Sequence, residues 1–333
     1  MVLITGATGL VGSHLALHLA ENGESVRAIY RSPASLQKAK SLFALYQKES
    51  LFDKIEWVHA DIIDIPSLYS AFENIDYVYH CAALVSFDPN DEKALRKTNI
   101  EGTANIVNFC LQFNIKKLCH VSSIAALGDP KEHEPQITEE TEWNPEAVHS
   151  DYAISKYGAE MEIWRGQQEG LNVAVVNPGV IIGPGFWDSG SGEIFSNVAK
   201  GLPFYTKGST GFVAVADVVK MLVQLMKGSI NGEKFIAISE NLTFEESLHE
   251  VASALGVKPP SVYARPWLTS IACTIDWMLS AVSKRKRKLT GMMVPSLHTA
   301  HHFSNEKAKS ALDFHFKPIM ATIRETAAFY PKK

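Results

Sequence analysis

Val2-Leu3-Ile4-Thr5-Gly6-Ala7-Thr8-Gly9-Leu10-Val11-Gly12 opens the chain. The first four of these residues read as a short buried strand, which runs straight into glycines at 6, 9 and 12. Leu15, Ala16 and Leu19 then repeat at helical spacing until Asn22-Gly23 stops them. Strand, spaced glycines and helix, in that order, bring a backbone close to a pyrophosphate at a helix N-terminus. The expected ligand is a dinucleotide, held by Gly6, Thr8, Gly9, Leu10, Val11 and Gly12. The spacing is G-x-x-G-x-x-G rather than G-x-G-x-x-G, so its weight comes from its place between a strand and a helix.

The 333 residues, 46% of them hydrophobic, leave room for one large domain or two lobes with a core. A net charge of -4 gives no reason to expect nucleic acid. Cys81, Cys110, Cys119 and Cys273 form no C-x-x-C pair, and three of them sit in apolar or helical stretches. Buried free thiols and a reducing cytoplasm are expected. With residue 2 already in a strand, a signal peptide is not.

No apolar run reaches the ~20 residues of a membrane span. The nearest, Trp267 to Val282, is interrupted by Asp276 and followed by Lys284-Arg285-Lys286-Arg287-Lys288. An apolar helix ending in cations could rest on an anionic membrane surface. The expectation adopted is the plainer one, a lobe helix with cations at its C-terminus and no membrane contact.

Apolar strand-like runs alternate with helical patterns through the first half: residues 2–5, 25–30, 55–59, 77–81, 117–122 and 172–177, with 235–238 as a further candidate. Helical patterns fall between them, for instance over 102–113 and 152–169. Repeated β-α units predict an α/β fold, a Rossmann-like doubly wound parallel sheet. From Gly183 the rhythm breaks into glycine-rich loops and then mostly helical segments. The expected division is a dinucleotide-binding domain over 1–182, to which 212–238 return, and a smaller, mostly helical substrate lobe from 183–211 and 239–333.

The end of the second strand normally reads the adenosine ribose, with a carboxylate for a 2′-hydroxyl or an arginine for a 2′-phosphate. This chain offers Tyr30-Arg31-Ser32-Pro33 and no carboxylate. Arg31, with Lys38 as a second charge, favours NADP over NAD. Asp61-Ile62 follows the third strand, where an Asp can accept from an adenine amino group; Asp64 is the better cap for the helix near Pro66. Cys81-Ala82-Ala83 follows the fourth strand, with small residues against which a dinucleotide can lie.

Tyr152-Ala153-Ile154-Ser155-Lys156 opens a helix after a fifth strand ending in Val121-Ser122-Ser123. Four residues of helix set phenol and ammonium on one face. A neighbouring ammonium and a cationic nicotinamide both favour the phenolate over its reference pKa near ~10. That gives a proton donor or acceptor working near neutral pH. Ser123 could hold the reacting oxygen against the tyrosine.

With these motifs in view, the chain resembles the extended short-chain dehydrogenase/reductases, which include nucleotide-sugar epimerases, dihydroflavonol reductases and 3β-hydroxysteroid dehydrogenases. Residues 5–12 resemble the family's glycine motif. Asn99-Ile100-Glu101-Gly102-Thr103 resembles its N-x-x-G-T segment, whose Asn supports the active site. Ser123, Tyr152 and Lys156 fall where the family has its catalytic triad. Asn177-Pro178-Gly179-Val180 and the residues to Pro184 resemble the segment that packs on the nicotinamide. The resemblance implies that Tyr152 transfers the proton, that Lys156 lowers its pKa and holds the nicotinamide ribose, and that Val121, Pro178, Gly179 and Val180 line the cofactor. It also makes a homodimer possible.

Sugar-nucleotide epimerases usually carry an arginine after that Gly-Pro and another before the later V-x-D motif, natural partners for a diphosphate. This chain has Gly185 and Thr210-Gly211-Phe212 there, and no arginine between Arg165 and Arg265. Tyr30-Arg31-Ser32-Pro33 and the late 302–308 segment resemble the reductase branch instead. The reading is an NADP-dependent reductase of a small or medium apolar ketone or alcohol. Its alternatives are an epimerase or dehydratase with retained NAD, a sterol-type dehydrogenase at a membrane surface, and a non-catalytic dinucleotide sensor. No metal is expected: His298, His301 and His302 share no helix face and lack a carboxylate.

Overall fold

The computed structural model describes residues 1–130, 136–283, 287 and 289–331. Its strands are β1 (Val2–Thr5), β2 (Val26–Tyr30), β3 (Glu56–His59), β4 (Tyr77–His80), β5 (Lys117–Val121) and β6 (Val173–Pro178), then β7 (Val180–Ile182), β8 (Phe204–Tyr205), β9 (Ser209–Ala214), β10 (Glu233–Ala237), β11 (Glu240–Thr243) and β12 (Val262–Tyr263). Seven of them form one parallel sheet in the order β10-β6-β5-β4-β1-β2-β3.

Strands covered on both faces should read as near-continuous apolar runs, and every residue of β1, β5 and β6 is buried. One face packs helices Leu10–Glu21 and Val215–Lys227 around Leu15, Leu19, Val218 and Leu222. The other packs helices Ile65–Phe72, Gly102–Gln112 and Asp151–Gln168 around Leu68, Phe72, Ile106 and Ile163.

The register sets the site. Thr5 stands beside His80, His80 beside His120, and Val121 beside Val176. The carboxyl ends of the central strands therefore lie along one edge, which carries Gly6, Cys81, Ser122 and Ser123. Strand order reverses at β1, since β2 lies on one side of it and β4 on the other. Open α/β sheets bind ligands in the crevice at such a switch point.

The region expected to be mostly helical also holds two small sheets, β11-β9-β7 and β12-β8. Their strands are short, and such runs give little periodicity from which to read them. Gly179 permits the crossing into β7, because a Cβ there would lie 2.2 Å from the Gly211 carbonyl oxygen. β10 pairs with β6 as the seventh strand, whereas β9 pairs with β7 and β11 in the small sheet. Helix Ile319–Ala328, not anticipated from the sequence, buries Ile319, Ile323 and Ala327 at i, i+4 and i+8. Of the cationic run after helix Pro266–Ser283, Lys284, Arg285, Lys286 and Lys288 lie outside the described residues.

Candidate active site

The glycine loop turns tightly after β1. Gly6 has φ +67, and a Cβ on it would lie 2.5 Å from the Ala82 backbone nitrogen. A Cβ on Gly12 would lie 2.2 Å from the Gly6 carbonyl oxygen. Packing within the chain therefore demands both glycines. Gly9 differs: a Cβ there meets only the Gly6 oxygen, at 3.5 Å, so packing within the chain does not demand a glycine at this position. Gly9 is also the N-cap of helix Leu10–Glu21 and makes no side-chain cap. The first amides of that helix, at Leu10, Val11 and Gly12, are open to an anion.

Arg31 follows β2, exposed, with no side-chain partner among the described residues. Ser32 accepts from the Ser35 amide and caps helix Pro33–Leu45, which carries exposed Lys38. Asp61 accepts from the Ile63 amide at 3.2 Å, closing a small turn. Buried Ile62 presses against Gly102. Asp64 does occupy the N-cap of helix Ile65–Phe72, but its side chain makes no cap bond; Ser67 donates to its carbonyl instead. The Cys81 thiol is pushed up to about 12 by burial and is inert at neutral pH. Ala82 abuts Gly6, and Ala83 is exposed.

Tyr152 sits in the first turn of helix Asp151–Gln168, capped by Ser150. Its phenol meets the Ser123 hydroxyl, which also accepts from the Ala125 amide at 3.1 Å. Lys156, 2% exposed, donates from Nζ to the Val121 carbonyl at 2.9 Å. Burial lowers the Lys156 pKa to about 8, against opposing pulls from Glu160 and Cys81. Burial raises the Tyr152 phenol above its ordinary value, and Ser123 pulls it back. The expected lowering of this phenol by Lys156 is thus not the balance the protein sets by itself; the lysine is turned toward Val121. Phe87, 46% exposed, meets the Tyr152 ring edge-on with centroids 5.5 Å apart.

Asn99 is buried in a widened π-turn at Arg96–Glu101, a distortion often found at functional sites. It accepts from the Leu84 amide (2.7 Å) and donates to the Leu84 carbonyl and to Ser155 Oγ (both 2.9 Å). Ser155 in turn donates to the Tyr152 carbonyl. Asn99 therefore ties the loop after β4 to the turn that carries Tyr152. Pro178 ends β6 buried, and Val180 begins β7 half-buried.

Two buried networks escape a reading by motif. Thr5 Oγ1 lies 2.6 Å from His80 Nδ1, and His80 Nε2 lies 2.9 Å from Thr103 Oγ1. Thr103 donates onward to the Asn99 carbonyl, so it accepts from Nε2–H, and Nδ1 accepts from Thr5. Burial holds the pKa of His80 down at about 3, so the ring stays neutral and the glycine strand is linked to Asn99. Behind the triad, buried Glu160 accepts from Ser122 Oγ (2.7 Å) and Asn177 Nδ2 (2.9 Å). Asn177 Nδ2 also donates to the Ser123 carbonyl at 3.0 Å. A signal for Glu160 was present: it lies one helical turn past Lys156, on the face that should be buried. His298 Nε2 meets Thr269 Oγ1 at 2.9 Å, and no metal-holding group of three or more His, Cys, Asp or Glu occurs among the described residues.

Residues 2–238 match the NAD dependent epimerase/dehydratase family. The chain belongs to that family. Within the epimerase/dehydratase family it is similar to the sterol demethylase protein B of Methylococcus capsulatus, with 29% identity over 272 residues, 80% of this chain and 78% of that one. It is also similar to a dihydroflavonol 4-reductase of Arabidopsis thaliana, with 29% identity over 192 residues, 55% of this chain and 50% of that one. The crystal structure of gox2253 superposes with a TM-score of 0.82 at 27% identity, covering 99% of this chain and 97% of that one. This member of the epimerase/dehydratase family is an NAD(P)-dependent enzyme of the short-chain dehydrogenase/reductase type. The open Gly9, the uncapped helix beside it and unpartnered Arg31 fit a dinucleotide.

Proposed function

We propose that the protein is an NADP-dependent reductase that interconverts a carbonyl and a secondary alcohol on a small or medium apolar substrate. The observation that carries this reading is the meeting of the Ser123 and Tyr152 hydroxyls, with half-exposed Phe87 against the Tyr152 ring. An apolar ring or chain can lie against Phe87 while its oxygen faces both hydroxyls. With no arginine between Arg165 and Arg265, that stretch lacks the fork that a sugar diphosphate would need. Exposed Arg31, with Lys38 on the following helix, supports NADP.

The dinucleotide, when bound, supplies or accepts the hydride. The chain's own residues handle the oxygen. Tyr152 gives or takes its proton, and Ser123 donates a hydrogen bond to it. Lys156 supplies positive charge beneath the site and would hold the nicotinamide ribose, while Asn99 fixes the turn that carries Tyr152. On this reading residues 1–182 with 212–238 bind the dinucleotide, and 183–211 with 239–333 shape the substrate pocket. The relatives named for dihydroflavonol and sterol chemistry support an apolar substrate. The unpaired thiols support a reducing compartment such as the cytoplasm.

Purified protein with NADPH and a panel of apolar ketones tests the reading. Turnover should fall by about 10²–10⁴-fold in Tyr152→Phe with cofactor affinity kept. Unchanged turnover in that variant would overturn it, as would tightly retained NAD with no net reduction, the behaviour of an epimerase.

A further inference from the structure

Helix Pro266–Ser283 is inside out. A surface helix normally turns its apolar face to the core. Here the buried side chains, among those described, are Thr269 and Asp276. Thr269 meets His298, Asp276 accepts from the Leu289 amide, and half-buried Cys273 faces the Leu289 carbonyl. The opposite side exposes Trp267, Ile271, Ile275 and Met278 at i, i+4, i+8 and i+11, with Leu279 beside them and Trp277 on the flank. Each of these six side chains is at least half exposed, between 50% and 58%. A contiguous apolar stripe of this kind marks a surface that is covered in use.

Charge identifies the cover. From Val257 to Asn305 the sequence holds seven Lys or Arg, namely Lys258, Arg265 and the five at 284–288, against one acid, Asp276. That is a local +6 in a chain of -4, so the remainder carries -10. The one acid points inward, and Arg265 stands exposed at the start of the helix. The run at 284–288 enters here by its charge and not by its placement. A second copy would bring the same positive excess to the interface, cation against cation. An anionic lipid surface suits both the apolar stripe and the charge.

We propose that this helix docks the protein onto an anionic membrane surface, lying in its plane with Trp267, Ile271, Ile275 and Met278 in the headgroup boundary. No helix among the described residues is long and apolar enough to cross a membrane. The segment that follows this helix touches the loop beside the candidate active site. The Arg287 amide donates to Asp88 at 3.0 Å, on the loop that carries Val85 and Phe87. The inference does not depend on which reaction the site performs.

The full-length protein is sedimented with phosphatidylcholine vesicles containing or lacking about a third phosphatidylserine. Binding to the anionic vesicles alone, weakened by salt, is expected. Ile271→Gln/Ile275→Gln, which changes only exposed side chains, should lose at least tenfold in apparent affinity with its circular dichroism unchanged. A triple change of Lys284, Arg285 and Lys286 to Ser should do the same. Protein that stays in the supernatant with anionic vesicles overturns the proposal. So does a dimer in analytical ultracentrifugation that Ile271→Gln/Ile275→Gln dissociates, since a second copy would then be the cover.

Discussion

The Lys156 ammonium donates to the Val121 carbonyl at 2.9 Å, joining the helix that carries Tyr152 to the end of the strand that leads to Ser123. This bond turns a four-residue spacing into a fixed site. It also places a charge in a nearly dry pocket, which costs stability.

That cost is measurable through pH. The folded-state pKa of Lys156 is about 8, below the ordinary lysine value of 10.5. Between those values the unfolded chain binds more protons than the folded one, so this group makes stability rise with pH in that window. Lys156→Met removes the penalty and leaves the Val121 carbonyl unpaired, which takes part of the gain back. At pH 7 the variant should unfold at higher denaturant, by roughly 1–2 kcal/mol, with turnover lost. The advantage should shrink from pH 8 upward. A variant less stable at pH 7 would contradict this account.

On the proposed reading, Glu160 is a positioning residue behind Ser123, Tyr152 and Lys156. Glu160→Gln keeps the shape but removes the negative charge that raises the Lys156 pKa. The alkaline limb of the kcat/KM profile should move to lower pH. Melting should also fall, because Ser122 and Asn177 lose a charged acceptor worth roughly 1–3 kcal/mol. A purely structural role would lower melting and leave the pH profile in place.

The glycines separate packing from binding. Gly9→Ala meets only ordinary contact at 3.5 Å, so its melting temperature should match that of the parent. Its dinucleotide affinity, by calorimetric titration, should drop by about tenfold or more. Gly6→Ala forces a Cβ against the Ala82 backbone at φ +67 and should cost about 2 kcal/mol or more of stability. Equal affinity in Gly9→Ala and parent would remove the loop from the cofactor site.

Arg31 is exposed without a partner, so Arg31→Asp should leave melting unchanged. The ratio of kcat/KM for NADPH over NADH should fall roughly ten- to hundredfold, as a charged contact to phosphate is lost. An unchanged ratio would assign the preference elsewhere.

Local sequence determined most of the architecture. Val2–Thr5, Lys117–Val121 and Val173–Pro178 are apolar runs of strand length, and a strand buried on both faces leaves that signature whatever surrounds it. Gly6 and Gly12 declared themselves in the same way, because tight turns and close backbone approach restrict residue type locally. Tyr152 and Lys156 could be paired through their helical spacing. Glu160 and His80 could not be assigned partners, since Asn177, Thr5 and Thr103 reach them from other elements through strand register. The two-residue strands β8 and β12 exist only because they pair with each other. Helix Pro266–Ser283 was legible as an apolar helix followed by cations, either a lobe helix or one resting on a membrane surface. Which way it faces came from packing alone, because periodicity reports that a helix has two sides and only its neighbours select the one that goes inward.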